Sequence, residues 1–331
     1  MVIRKGESMK IDNRNTCLII VTYKRFNLLC KLLESIKEMT TIPAGVVIVD
    51  NESSQQTSTL VEDFKNSISL ISNNTHVFYI QQENLGGSGG FCTGFKLAYE
   101  LGYDWLWAMD DDVSILPDAL DVFNLYQDKY SVLLGNKLST TGEILQWQYC
   151  FNTKFGLPDQ IKFPHFTDGI QKMNNISFEG TLFSRKIVDE IGFPDSRFFI
   201  NWDDTAYGLL ASKYTTPVLL EKPTLKKTIS NSGIGFQQRK LSTGNDLKRF
   251  YIIRNRAILA KYLRILDYYN PVLFAIGTFF QFCKEILRLV IVEKSFHKAN
   301  LSALHKGIVE YSRILRDNSW HPESYELKDL S

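Results

Sequence analysis

A chain of 331 residues with 44% hydrophobic side chains can bury a full core, as one large domain with an appendage or as two domains. A formal net charge of +2 argues against nucleic acid as the main partner. Five widely spread cysteines without a CxxC pair fit reduced thiols in a cytosolic protein better than a disulfide framework or a zinc site.

In chain order, residues 1–15 are polar and charged and lack the apolar core of a signal peptide. Cys17-Leu18-Ile19-Ile20-Val21-Thr22 suits a fully buried strand and is followed by Tyr23-Lys24-Arg25. Leu28, Leu29, Leu32, Leu33 and Ile36 recur at helical spacing and predict a helix that ends before Pro43. Val46-Val47-Ile48-Val49-Asp50 repeats the buried-strand pattern; a polar stretch over 51–59, a helix near 60–66 and a third strand over 77–80 follow. Strands alternating with helices imply right-handed crossovers and a mainly parallel sheet flanked by helices, an α/β fold. Ligands of such sheets gather at the carboxyl ends of the strands, where Thr22, Asp50 and Asp110 all fall.

Asn84-Leu85-Gly86-Gly87-Ser88-Gly89-Gly90-Phe91 places four glycines in five positions, which allows positive φ and close approach of a backbone to a ligand. A helix over 89–101 would then offer free N–H groups to an anion. A dinucleotide fingerprint on Gly87-Ser88-Gly89 needs glycine at 92 and meets Cys92, so the dehydrogenase reading fails there. A plain turn joining strand to helix is the other reading.

Tyr103-Asp104-Trp105-Leu106-Trp107-Ala108-Met109-Asp110-Asp111-Asp112 is an apolar strand that ends in three carboxylates. Alternation points Asp110 and Asp112 to one side and Asp111 to the other. Two oxygen donors on one side suit Mg²⁺ or Mn²⁺ beside a diphosphate. An acidic turn or a helix N-cap before 113–117 is the alternative.

Residues 132–135 predict another strand, and 146–175 read as irregular loops and hairpins. Residues 178–185 lead into a short helix over 186–191. In Phe198-Phe199-Ile200-Asn201-Trp202-Asp203-Asp204, either carboxylate could cap the next helix, or act as a desolvated general base. The region from 243 onward is mostly helical. Between Phe236 and Arg264 eight Lys or Arg face one acid, Asp246, a stripe that suits a solvated helix face, an anionic membrane surface or phosphate. Residues 268–283 carry no charge but fall short of a membrane span, leaving core packing or interfacial association.

Taken together, Ile20-Val21-Thr22-Tyr23-Lys24-Arg25, Val49-Asp50-Asn51-Glu52-Ser53, the glycine segment from Asn84 to Phe91, Met109-Asp110-Asp111-Asp112 and Trp202-Asp203-Asp204 resemble the inverting GT-A glycosyltransferases of family 2. Within them the chain is similar to the bacterial galactofuranosyltransferase and rhamnosyltransferase branch, over about residues 16–260. The resemblance implies a GT-A domain over 16–235, after the polar segment 1–15, and a helical region over 236–331 that associates with a membrane or packs as core. It also implies that Thr22, Tyr23, Arg25 and Asp50 line the nucleotide pocket, with Asp50 accepting hydrogen bonds from the base, and that Asn84, Gly86, Gly87 and Gly89 bind the donor. Asp110 and Asp112 would ligate Mn²⁺ or Mg²⁺, and Asp111 would face sugar or ribose. Asp204 would be the general base, Asp203 would help position the sugars, and Trp202 and Trp147 would stack on a sugar.

Relatives commonly carry a histidine as a third metal ligand, and residues 217–230 contain none. Water or a hydroxyl would complete the coordination, or Lys226 or Lys227 would neutralise part of the diphosphate. The implied activity is transfer of galactofuranose from UDP-galactofuranose to a lipid-linked surface-glycan precursor, by a cytoplasmic protein peripheral to the inner face of the membrane. Rhamnosyl transfer from dTDP-rhamnose is the alternative, and a non-catalytic sugar-nucleotide-binding protein is a third reading.

Overall fold

The computed structural model describes residues 10–11, 15–145, 149–160, 164–229, 233–236, 239–242, 245–294 and 297–323. Trp147 lies outside the described residues, and so do the side chains of Lys240 and Arg239 in the basic stripe.

Strands Thr16–Thr22, Gly45–Asp50, His76–Gln81 and Trp105–Asp110 pair in parallel at the heart of a nine-stranded sheet. In the first of them even-numbered Leu18 and Ile20 belong to one buried cluster, and odd-numbered Cys17, Ile19 and Val21 to another. This is the burial on both faces that a continuous apolar run demands. Helices Phe26–Lys37, Gln55–Ile71 and Ala119–Asn124 cover the even face. Helices Gly86–Glu100, Arg185–Ile191, Asp203–Tyr214 and Asp246–Ile265 cover the odd one.

Beyond Trp105–Asp110 the sheet becomes mixed. Strand Thr181–Ser184 runs antiparallel between Trp105–Asp110 and Val132–Leu138, and Val218–Lys227 pairs in parallel with Val132–Leu138. Residues 178–185, expected only as the approach to a helix, hold the strand Thr181–Ser184. Four residues are too short for period-2 alternation to stand out, and all four are buried. The helix expected near 60–66 spans Gln55–Ile71, because Ser54 caps it by accepting the Thr57 N–H at 3.1 Å. Its polar first turn reads as loop. The glycine helix starts at Gly86, three residues earlier than expected.

The basic stripe is a correction. Arg249, Arg256 and Lys261 are buried and tie the helix Asp246–Ile265 to its surroundings rather than forming a solvated face. Arg249 reaches Glu293 and Asn300, Arg256 donates to the carbonyls of Phe155 and Gly156, and Lys261 donates to the Asp317 carbonyl. Helices Pro271–Leu287 and Lys298–Arg316 complete the described chain, with a π-helical turn at Arg288–Glu293 between them. Among the described residues no helix is long and apolar enough to cross a membrane.

Candidate active site

Strand register brings the site together. Val21 stands opposite Asp110 and Thr22 opposite Asp50, so three parallel strands end level with one another. Asp111 and Asp112 then make a tight turn into strand Val113–Ile115.

Asp110 and Asp112 do point to one side, and a third carboxylate joins them. Ligand oxygens of Asp110, Asp112 and Glu179 lie within 4.8 Å of one another. Glu179 precedes the antiparallel strand Thr181–Ser184, whose register against Trp105–Asp110 sets Leu182 beside Trp107. An all-oxygen set of this kind fits a hard divalent cation. Two lysines press on it. The Lys227 ammonium stands 2.7 Å from Glu179 and 3.1 Å from Asp112, and Lys137 lies 3.1 Å from Glu179. Burial, then the charges of Glu179, Asp112 and Asp111, push Asp110 well above the ordinary carboxylate range. Burial lowers fully buried Lys137 to about 8.

Asp111 points the other way and is 3% exposed. Its carboxylate accepts from Thr22 Oγ1 at 2.7 Å and from Arg25 Nη1 at 3.0 Å. Asp111, expected to face a sugar or ribose, here ties Thr22 and Arg25 to the acidic turn. Asp50 is also buried, and its oxygens accept from the N–H groups of Glu52 and Ser54 and from the Tyr79 hydroxyl. Tyr23 is exposed at the same edge.

The glycine segment meets the second acidic motif. Asn84 Oδ1 accepts the Gly86 N–H, and the Ser88 N–H donates to the Phe199 carbonyl at 3.2 Å. Gly86 has φ +73, and a Cβ there would collide with that same carbonyl, so only glycine fits. A Cβ at Gly87 would meet open space, whereas one at Gly89 would strike Leu85. A pocket of about 390 Å³ opens beside this helix start, lined by Asn84, Arg197, Phe199, Tyr251, Arg254 and Glu310 among others.

Trp202, not an aspartate, occupies the N-cap position of helix Asp203–Tyr214, and it has left-handed backbone geometry. Asp203 and Asp204 are the first two helical residues, so the N-cap reading does not hold. Burial raises Asp203, opposed by the neighbouring Ser88 hydroxyl and backbone N–H groups. Burial and then the charge of Asp203 push Asp204 up to about 7, with Thr205 and Lys137 pulling the other way. Trp202 itself is 8% exposed, sits in the core against Phe151, and donates its indole N–H to the Ile252 carbonyl at 3.0 Å. Trp202, expected as a stacking face, is thus held at the edge of the core.

Sequence reasoning missed Glu179, Lys137 and Asn255. The available signal was a lone charge inside an otherwise apolar run, Phe178-Glu179-Gly180 and Leu134-Gly135-Asn136-Lys137-Leu138. Asn255 sits among the cations of the stripe and carries no such mark.

A sequence profile described as "Glycosyl transferase family 2" matches residues 17–192. The galactofuranosyltransferase GlfT1 of Mycolicibacterium smegmatis is 25% identical over 270 residues, covering 73% of this chain and 82% of that protein. The dTDP-rhamnosyl transferase RfbF of Shigella flexneri is 22% identical over 254 residues, covering 75% and 81%. Among solved structures, S. aureus TarS 1–349 in complex with UDP shares the fold, with a TM-score of 0.52 at 13% identity over 91% of this chain and 81% of that one. The chain is a glycosyltransferase and belongs to glycosyl transferase family 2, in the branch that holds these galactofuranosyl and rhamnosyl transferases.

Proposed function

We propose that this protein transfers galactofuranose from UDP-galactofuranose, with inversion, to a hydroxyl of a lipid-linked precursor of a bacterial surface glycan. The observation that carries the reading is the convergence of Asp110, Asp112 and Glu179 at the carboxyl edge of the sheet. The galactofuranosyltransferase relative supports the donor. The rhamnosyltransferase relative supports dTDP-rhamnose as the alternative.

In this reading Asp110, Asp112 and Glu179 hold Mn²⁺ or Mg²⁺, which supplies positive charge for a diphosphate leaving group. Lys227 is near enough to add a second positive charge there. Thr22, Tyr23, Arg25 and Asp50 form the nucleotide side, with Asp111 keeping Arg25 and Thr22 in place. The acceptor hydroxyl gives its proton to Asp204, its oxygen bonds to the anomeric carbon, and the bond from that carbon to the diphosphate oxygen breaks with its electron pair leaving on UDP. A carboxyl near 7 is matched to a base that must be ionised when it receives the proton. Asp203 and the glycine segment around Asn84, Gly86, Gly87 and Gly89 frame the transferred sugar. The exposed apolar stripe Val272, Ile276, Phe279, Phe280, Val290 and Ile291 suits a membrane surface, where a lipid-linked acceptor resides.

The test is hydrolysis of UDP-galactofuranose and of dTDP-rhamnose by the purified protein with Mn²⁺ and no acceptor. UDP release that disappears on Asp110→Ala is the expected result. Release of dTDP alone replaces the donor, and full turnover in EDTA removes the metal.

A further inference from the structure

The loop that delivers Asp203 and Asp204 is conformationally costly. Phe199, Asn201 and Trp202 have φ of 62, 68 and 70, three non-glycine residues on the left-handed side within four positions. Such backbone persists only where its surroundings over-determine it, and it gathers at functional sites. One turn of the helix Asp246–Ile265 supplies that constraint. Asn255 is 0% exposed, and its side-chain nitrogen lies 2.7 Å from the Phe198 carbonyl, 2.8 Å from that of Ile200 and 3.0 Å from that of Asn201. Its oxygen accepts Arg254 Nη1 at 2.8 Å, which fixes the amide with its nitrogen toward the loop. Arg254 also donates to the Arg197 carbonyl, Tyr251 stacks on Phe199 at 4.8 Å, and Ile252 accepts the Trp202 indole N–H. Phe199 passes the constraint on by accepting the Ser88 N–H.

We propose that Asn255 is a positioning residue for glycosyl transfer: its amide clamps the 198–201 backbone and so sets where Asp203 and Asp204 stand relative to the carboxylates at the sheet edge. The proposal rests on the reading of Asp204 as general base. Asn255 is fully buried, so its removal should disturb the geometry of proton transfer and leave the nucleotide side formed by Thr22, Arg25 and Asp50 intact.

The experiment compares wild type, Asn255→Ala, Trp202→Phe and Asp204→Asn in two readouts. The first is donor hydrolysis with Mn²⁺, using whichever of UDP-galactofuranose and dTDP-rhamnose the wild type turns over. The second is amide hydrogen exchange at Ser88 and at Ala206, whose N–H bonds the Trp202 carbonyl at 2.8 Å. Asn255→Ala should lower kcat by about 100-fold, the scale of a small misplacement, with donor KM within about twofold of wild type. Exchange at both amides should rise about tenfold. Trp202→Phe keeps a six-membered ring in the core, removes the N–H to Ile252 with the rest of the indole, and leaves the Asn255 contacts in place, a second perturbation of the same loop. It should lower kcat by about tenfold and raise exchange at both amides by about threefold, the scale of one lost hydrogen bond. Unchanged kcat and unchanged exchange in either folded variant overturn the clamp. Hydrolysis kept by Asp204→Asn, or absent from the wild type with both donors, overturns the reading of the base instead. Exchange still decides the clamp in that case.

Discussion

Lys227 Nζ lies 2.7 Å from Glu179 Oε2, with Asp112 Oδ1 a further partner at 3.1 Å. An ammonium thus stands between two of the three carboxylates that suit a divalent cation. Burial alone would lower Lys227, but Glu179 and Asp112 outweigh it and the net shift is upward. The stretch lacking the expected histidine therefore contributes a resident cation, and the third carboxylate of the cluster comes from the loop before Thr181–Ser184.

Lys227→Met should therefore tighten Mn²⁺ binding by about tenfold, since a competing charge is removed from a site where one pKa-sized interaction is one decade. Titration calorimetry on the protein without donor reads it directly. Weaker binding would mean that Lys227 helps to organise the carboxylates rather than competing for them.

Glu179→Gln should do the opposite. It leaves Asp110 and Asp112 as the carboxylates of the cluster and removes one partner of buried Lys137, which also donates to Ser177 Oγ at 3.2 Å. Loss of at least about tenfold in Mn²⁺ affinity follows from deleting one ligand, together with a smaller rise in Tm on adding Mn²⁺. A variant that binds Mn²⁺ as the wild type does would exclude Glu179 from the site.

Asp204 fixes the pH behaviour. As the proposed base it must be ionised, so turnover should fall as pH drops through about 7, and Asp204→Asn should cost about 10³-fold above pH 7 and progressively less below it. Lys137 lowers the carboxyl by its charge, so Lys137→Met should move the acid limb upward. The stability sign is the reverse of the usual carboxylate case. A folded pKa raised above 3.8 means that its contribution is fully present below the unfolded pKa and is lost as pH rises through about 7. Tm should therefore decline between pH 4 and 8 less steeply in Asp204→Asn than in the wild type, as calorimetric scans would show.

The parallel core and the acidic turn were legible because both write themselves locally: unbroken apolar runs such as Cys17 to Val21, and three adjacent aspartates at a strand end. Alternation anticipates Asp110 and Asp112 on one side, although Asp112 reaches that side from the turn beyond the strand end. What stayed hidden depends on contacts distant in sequence. Glu179 reaches Asp110 only through an antiparallel insertion, and Asn255 reaches Phe198 across 57 positions. The basic stripe misled because Arg256 and a solvated arginine look alike until the carbonyls of Phe155 and Gly156 appear beside it. The burial of Trp202, with its indole N–H on the Ile252 carbonyl 50 positions away, likewise depends on contacts distant in sequence.

The helix Pro271–Leu287 makes the last prediction. Phe274, Gly277 and Gln281 face inward, while Val272 and Phe279 are 67% and 63% exposed on the opposite side, with Phe280 beside them. That half-buried pattern fits a helix lying in a bilayer interface and does not fit a spanning one. Since Arg249, Arg256 and Lys261 are committed inside the fold, apolar burial rather than charge should carry the attachment. The protein should sediment with vesicles of equal parts phosphatidylglycerol and phosphatidylcholine, and this should survive salt high enough to screen surface charge. The double variant Phe279→Glu, Phe280→Glu should weaken binding by about 50-fold, from roughly 1 kcal/mol of lost apolar burial for each ring plus the cost of placing carboxylates in the interface. Donor hydrolysis should be unchanged. Binding that disappears in salt while the double variant still sediments would transfer the attachment to exposed lysines such as Lys294 and Lys298.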